Sequence, residues 1–154
     1  MNLTVLAVIV IVVAVVVVLL VLKRMDDQRA WPFYAKKPLS NPEQVLYHRL
    51  VKSLPECVVL AQVQASRILG VKKGANFGVW NNRINRLSLD YVVCLKDATV
   101  VAAIELDDAT HSRAARREAD KRKARALESA GITLIRWTVN ALPDEATIRA
   151  AFTR

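Results

Sequence analysis

The chain has 154 residues, which is enough for one globular domain in addition to any membrane-spanning segment. Its 23 Lys and Arg against 14 Asp and Glu give a formal net charge of +9, and a basic domain is attracted to polyanions such as nucleic acid or acidic lipid. The two cysteines, Cys57 and Cys94, lie in apolar runs without a CxxC pairing, which argues against a disulfide scaffold or a zinc site.

Residues 3–22 form an apolar run in which Thr4 is the only polar residue. As a helix this run spans roughly the 30 Å core of a bilayer. A cleaved signal peptide would have basic residues before a shorter run, whereas here Lys23 and Arg24 follow it. We therefore predict a transmembrane anchor over 1–22 that contacts the lipid bilayer through residues 3–22. By the positive-inside rule, the protein crosses the inner (cytoplasmic) membrane once, with its N-terminus outside and its C-terminal domain in the cytoplasm.

Residues 23–39, with two prolines and mixed charge, predict a linker, and residues 40–154 predict a soluble domain. Within that domain, periodicity and capping signals predict helices over 42–53 and 143–152, and an Ala-rich helix over 112–131 that Gly131 ends. Residues 64–87 have no clear period, and we predict a loop there with one short helix around 76–84. Apolar runs predict strands over 57–63, 87–95, 99–107 and 132–139. This order of elements indicates a small α/β domain with a mixed sheet.

Residues 96–98 separate two of these strands and predict a hairpin. A turn centred on the 97–98 bond places Asp90 opposite Glu105, and strand alternation places Glu105 and Asp107 on one face. A three-residue loop would shift this register by one and separate the faces. Three carboxylates so close repel each other unless a cation offsets them or one is protonated. We therefore predict an Mg²⁺ (or Mn²⁺) site formed by Asp90, Glu105 and Asp107.

Simpler explanations exist for some of the acidic residues. Glu43 fits a helix capping box, which requires no chemistry. Asp107 and Asp108 could cap the helix that follows, with His111 as its first residue. The two acids inside apolar strands have no such explanation, because strand propensity favours Val or Thr at those positions.

The Ala-rich helix carries a dense group of basic residues directly after the acidic cluster. Seven basic side chains occur within thirteen positions: Arg113, Arg116, Arg117, Lys121, Arg122, Lys123 and Arg125. Most charged helix faces are merely solvated, but a nuclease needs both a carboxylate site and phosphate contacts. We therefore predict nucleic acid, either DNA or RNA, as the partner of this helix, through Arg113, Arg116, Arg117, Lys121 and Arg125.

The order of these motifs resembles the PD-(D/E)xK nuclease-like superfamily. The matching segments, over about residues 40–140, are Glu43, Asp90 within LDYVV, IELDDATH, Asp120 with Lys123, and AGITLIRW. Within that superfamily the chain is most similar to a bacterial family of unknown function, often membrane-anchored, with an ELD-x-x-x-H signature and related to the very short patch repair endonucleases. The resemblance implies a restriction-endonuclease-like mixed sheet flanked by helices.

The same resemblance implies roles for individual residues. Asp90 and Glu105 match the metal-binding acids, and Glu43 matches the acid of the first helix. Asp107 stands where the superfamily has its catalytic lysine. His111, Lys121 or Lys123 could replace that lysine.

The sequence therefore predicts a membrane-anchored, Mg²⁺-dependent phosphodiester hydrolase that acts on nucleic acid. The alternative is a catalytically inactive nucleic-acid-binding module of the same fold. A membrane-surface scaffold is a third interpretation, which is disfavoured because the basic helix has mostly alanine, and no large apolar face, to insert into lipid.

Overall fold

A computed structural model describes residues 2–27, 31–107 and 114–153 and divides the chain into two compact units, Met1–Lys36 and Lys37–Arg154. The first unit contains helix α1, Leu3–Asp27. This helix continues beyond the predicted end of the apolar run at residue 22, because the Lys and Arg that follow are good helix formers. Its segment Thr4–Met25, with a mean hydropathy of 3.9, is long and apolar enough to cross a membrane.

The second unit is built on a four-stranded sheet in the order β1-β2-β3-β4. Its strands are β1 Val58–Gln64, β2 Ser88–Cys94, β3 Val100–Asp107 and β4 Thr133–Thr138. Its helices are α2 Asn41–Ser53, α3 Phe77–Ile84, α4 Ala114–Ser129 and α5 Glu145–Phe152, with a 3-10 turn at Ala65–Arg67. Strands β1, β2 and β3 are antiparallel, whereas β3 and β4 are parallel and are joined through α4. The predicted mixed α/β fold, with a sheet flanked by helices, is confirmed.

Apolar side chains cover the two central strands on both faces. On one face, Leu127 of α4 packs in a cluster with Val92, Cys94 and Ala103. On the other face, α2 and α5 cover the sheet through a second cluster of buried residues: Leu46, Leu50, Tyr91, Val93, Ile104 and Ile148. An acidic side chain inside β2 or β3 is therefore in a costly position, because it must enter a low-dielectric interior.

The β2–β3 hairpin has a three-residue loop, which is the case that would shift the predicted register. The amide of Leu95 donates to the carbonyl of Thr99 at 2.8 Å, and residues 96–98 form the loop. Ala98 has a left-handed φ of 69°, as is usual at the end of a three-residue hairpin loop.

A β-bulge next to this loop restores the register. Cys94 pairs with Val100. The next pair is Val93 with Ala102, so Val101 is the extra residue of the bulge.

Beyond the bulge the strands have the predicted alignment. Tyr91 pairs with Ile104, as the predicted register requires, and Asp90 and Glu105 are the next residues on the two strands. The three-residue loop shifts the strand register by one residue and the bulge shifts it back. The two acids therefore lie at the same end of the hairpin.

Candidate carboxylate–lysine site

The centre of the candidate site is a buried ion pair between β3 and α4. The ammonium Nζ of Lys123 lies 2.6 Å from Oε2 of Glu105, and the two side chains are only 11% and 7% exposed. The amine donates a hydrogen bond to the carboxylate in addition to the charge attraction.

Helical spacing explains why a lysine from a basic helix lies inside the domain. Ala119 and Leu127 lie four residues before and after Lys123, and both belong to the apolar cluster against the sheet. Residues at this spacing share one helix face, so Lys123 points towards the sheet. Its methylene stem packs in apolar surroundings and its ammonium reaches Glu105.

Asp90 reaches from β2 towards β3 with its side chain. Its Oδ2 accepts a hydrogen bond of 2.8 Å from the backbone N–H of Leu106. Across the sheet, Gln62 of β1 has a left-handed φ of 53°, and the β1–β2 pairs on either side are Ala61 with Tyr91 and Val63 with Leu89. The backbone is thus irregular where Asp90 enters the site, a common feature of strands beside functional sites.

The charge of Glu43 in α2 contributes to raising the pKa of Asp90, and its carboxylate accepts two hydrogen bonds. Its Oε2 accepts from the amide of Ser40 at 2.6 Å, as the capping-box interpretation predicted. Its Oε1 accepts from Nε2 of Gln62 at 3.1 Å. The hydroxyl of Tyr91 donates to the backbone carbonyl of Glu43 at 2.7 Å, which fixes this end of α2 against the sheet.

Burial dominates the electrostatics of the two acids. Desolvation raises the pKa of Glu105 to about 7, even though Lys123 acts in the opposite direction. The pKa of Asp90 is also raised, first by desolvation, while the Leu106 amide and the Lys123 charge lower it. Since one ammonium faces two carboxyl groups, the cluster favours either a bound proton or an added cation.

One oxygen of this cluster lacks a hydrogen bond. Oε1 of Glu105 is buried and has no partner among the residues that the structure describes. Such an atom is costly unless a ligand, an ion or a water contacts it. It is therefore the atom best suited to accept an additional cation.

Asp107 is arranged differently from the other two acids. Its Oδ2 lies 3.1 Å from Nη1 of Arg136 on the neighbouring strand β4, and its side chain is 45% exposed. Its charge contributes to raising the pKa of Asp90, so it lies at the edge of the cluster. Across residues 2–27, 31–107 and 114–153, no three His, Cys, Asp or Glu side chains are grouped as a metal site. The structure brings Asp90 and Glu105 together and engages Asp107 with Arg136.

The other candidates are distributed along α4 and the segment before it. Lys121 and Arg125 are exposed on α4. Arg116 and Arg117 belong to α4, but their side chains lie outside the described residues, as do Asp108, His111 and Arg113 altogether. Lys123 is therefore the candidate lysine for which a contact with the acids is observed.

Two polar residues at this site were not among the sequence candidates. Arg136 interrupts the apolar run of β4 and lies beside Glu105, whose pKa its charge lowers. A charged residue inside an apolar strand was the signal, the same one that singled out Asp90 and Glu105. Gln62 has a comparable signal in β1.

The fold and the site define a class of protein: a mixed α/β domain with a carboxylate pair and a buried lysine at the centre of its sheet. The model of the family DUF2726, described as a protein of unknown function, matches residues 35–154, and the chain belongs to this family. Neither the curated proteins nor the solved structures gave a significant match to the chain.

Proposed function

We propose that the second unit is a metal-dependent phosphodiester hydrolase of the PD-(D/E)xK type that acts on nucleic acid. The observation that carries the proposal is the buried contact of Lys123 with Glu105 beside Asp90, at the centre of the sheet. A carboxylate pair next to an ammonium combines a cation site with a fixed positive charge, which phosphoryl transfer requires.

The donor atoms suit Mg²⁺ or Mn²⁺. Mg²⁺ is commonly held by one or two carboxylates and keeps waters and substrate phosphate oxygens as its other ligands. Asp90 and Glu105 supply such a pair, with the unpartnered Oε1 of Glu105 as the first donor. An ion held there would supply Lewis-acid chemistry to a phosphoryl group.

Lys123 suits the role of the superfamily's lysine, although it comes from a helix. The expected position in β3 holds Asp107, which contacts Arg136. The Lys123 ammonium lies at hydrogen-bonding distance from Glu105, and its charge acts on both acids. In the proposed enzyme this side chain orients Glu105 and balances negative charge that develops at the phosphate.

The exposed basic side chains of α4, such as Lys121 and Arg125, would contact the phosphate backbone. We further propose that α1 anchors the protein in the inner membrane with this domain in the cytoplasm. Two observations support the anchor: the length and apolar character of Thr4–Met25, and the basic residues that follow the run.

The second candidate function is a nucleic-acid-binding module without catalysis. The observation that favours it is the contact of Asp107 with Arg136, which leaves two acids rather than three for a metal. In this case the Lys123–Glu105 pair only balances buried charge, and the basic residues alone bind nucleic acid.

A cleavage assay distinguishes the two functions. The full chain in neutral detergent is mixed with labelled DNA or RNA, single-stranded or duplex, in Mg²⁺, Mn²⁺ or EDTA. We expect divalent-dependent cleavage that Asp90→Asn and Glu105→Gln each reduce by roughly a hundredfold or more, with little change in binding measured in EDTA. Lys96→Ala, at the exposed hairpin loop, is the control substitution.

Melting curves of each variant separate loss of activity from loss of folding. Salt-sensitive binding without cleavage in any divalent ion would leave the binding module as the function. If binding were absent as well, the resemblance would be one of fold alone.

A further inference from the structure

A groove of about 750 Å³ lies between α4 and the segment from the 3-10 turn to α3. The α4 side of this groove is a single helix face, formed by Glu118, Arg122, Arg125 and Ser129 at steps of three and four residues. Trp80 and Ile84 of α3 belong to the opposite side. This face shares Arg125 with the residues of α4 that the sequence predicts to bind nucleic acid, whereas Arg122 was not among them.

The charge of the groove suits an anionic ligand. Among its charged lining residues, four are basic and one, Glu118, is acidic; the basic ones are Lys72, Arg83, Arg122 and Arg125. These charges surround apolar surface from Leu69 and Ala126. A ligand that matches the groove therefore carries both negative charge and flat apolar groups.

Trp80 gives the groove an aromatic surface. The residue is 48% exposed, which is high for so large an apolar side chain. The guanidinium carbon of Arg83 lies 4.4 Å from the centre of the indole ring, a cation–π contact that holds the ring in place. A fixed, exposed aromatic ring next to arginines is the arrangement by which proteins stack unpaired bases.

We propose that this groove binds single-stranded nucleic acid, with an unpaired base stacked on Trp80 and phosphates contacted by Arg122 and Arg125. The choice of ligand class rests on the proposed function. Each nucleotide of a strand carries one flat base and one charged phosphate, which matches the mixture of apolar surface and arginines in the groove. A flat acidic bilayer would contact protruding side chains rather than a recess, and an acidic peptide would gain little from the indole.

The groove also lies on the helix that supplies the candidate lysine. Arg122 and Lys123 are consecutive, so they lie about 100° apart around the helix axis. Arg122 lines the groove, while Lys123 contacts Glu105 on the side of the sheet. A strand held in the groove would thus follow the helix that carries Lys123, which predicts a preference for single-stranded or locally unpaired substrates.

Fluorescence anisotropy tests the groove with the full chain in neutral detergent and EDTA. The probes are a labelled oligothymidylate and an abasic strand of the same length and charge. We expect tighter binding of the oligothymidylate. Trp80→Ala should weaken oligothymidylate binding by about tenfold and leave the abasic strand nearly unaffected, because the substitution removes the ring on which a base stacks. Phe77→Ala is the matched aromatic control, since Phe77 is 65% exposed on the same helix and does not line the groove.

Arginine variants test the phosphate contacts. Arg122→Ala and Arg125→Ala should weaken the binding of both strands and lower the slope of log affinity against log salt by about one each. Arg86→Ala, at an exposed arginine outside the groove lining, is the control and should change neither.

Several results would overturn the groove proposal. The first is equal affinity of the wild type for the two strands. The second is an equal effect of Trp80→Ala and Phe77→Ala on binding. The third is that polyglutamate or short-chain phosphatidylglycerol displaces the oligothymidylate as effectively as an unlabelled strand does. The outcome is separable from that of the proposed function. Divalent-dependent cleavage with an unselective groove would reject only the groove, and base-dependent binding without cleavage would retain the groove and reject the hydrolase.

Discussion

The ammonium of Lys123 lies 2.6 Å from Glu105 in an interior position where both side chains are almost fully buried. A buried ion pair usually contributes little to the stability of the folded state, because desolvation of the two charges offsets most of their attraction. An apolar pair of similar size would serve the fold equally well. The position of this pair beside Asp90 therefore supports the proposed role of these charges in a functional site.

A double-mutant cycle should show strong coupling between these two side chains. At pH 8, Lys123→Met should lower the free energy of unfolding by about 3 kcal/mol, because it leaves the ionised carboxylate of Glu105 buried without a partner. Glu105→Gln should have a smaller effect, because the amide avoids the desolvation that raises the pKa of the carboxyl group. The double variant should lose clearly less than the sum of the two, as measured by urea unfolding followed by tryptophan fluorescence. Asp107→Asn, which breaks a half-exposed ion pair, should cost less than about 1 kcal/mol. Additive losses would show that the pair does not interact.

The stability of the metal-free protein should fall as the pH rises from about 5 to about 7. Burial raises the pKa of Glu105 from 4.5 to about 7, so the folded state keeps a proton that the unfolded chain releases. Folding is then less favourable at higher pH, by up to about 3 kcal/mol.

Urea midpoints in EDTA at several pH values measure this effect. Glu105→Gln should remove this fall with pH, and Asp107→Asn should keep it. An identical pH profile for wild type and Glu105→Gln would contradict the raised pKa.

Divalent-ion affinity should depend on Asp90 and Glu105 more than on Asp107. Asp90→Asn and Glu105→Gln should each weaken Mn²⁺ binding by about tenfold or more, because they remove charged oxygen ligands. Asp107→Asn should have a smaller effect, since its carboxylate is engaged with Arg136. Titration of the full chain by calorimetry provides the comparison, and equal effects of all three substitutions would restore the predicted three-carboxylate site.

The hairpin loop offers a test of the backbone that sets the register. Ala98 has a φ of 69°, a conformation that costs an L-residue about 1–2 kcal/mol and glycine almost nothing. Ala98→Gly should therefore raise the free energy of unfolding by about 0.5 kcal/mol after the entropy cost of glycine is included. Ala98→Val should lower it. Destabilisation by glycine would indicate a different loop conformation.

The orientation of the proposed membrane anchor can be measured with C-terminal fusions. A reporter that fluoresces only in the cytoplasm should be bright when it is fused after Arg154, because the basic residues after the apolar run favour the cytoplasmic side. An active periplasmic enzyme at the same position, together with a dark cytoplasmic reporter, would reverse the predicted orientation.

The sequence by itself determined the elements and the fold class. The apolar pattern predicted the bounds of α2, α5 and the four strands to within two residues, and Gly131 predicted the end of α4. Helix α3 lies in a segment without a clear period, and the 3-10 turn at Ala65–Arg67 was not predicted. These signals are local, since side-chain direction repeats every 3.6 residues in a helix and every two in a strand. Polar residues inside apolar runs also singled out Asp90 and Glu105 for the same local reason.

Only the tertiary structure decided how these residues combine. The sequence left open which of three residues could accompany the acids, and the packing of α4 brought Lys123 against Glu105. The register of the hairpin depended on a loop and a bulge whose offsets cancel, and neither has a distinctive sequence. Asp107 was predicted to converge with the other two acids, but β4 lies parallel to β3 and brings Arg136 within reach of its carboxylate. Contacts between distant segments depend on how the elements pack, and the sequence pattern within each element does not record that packing.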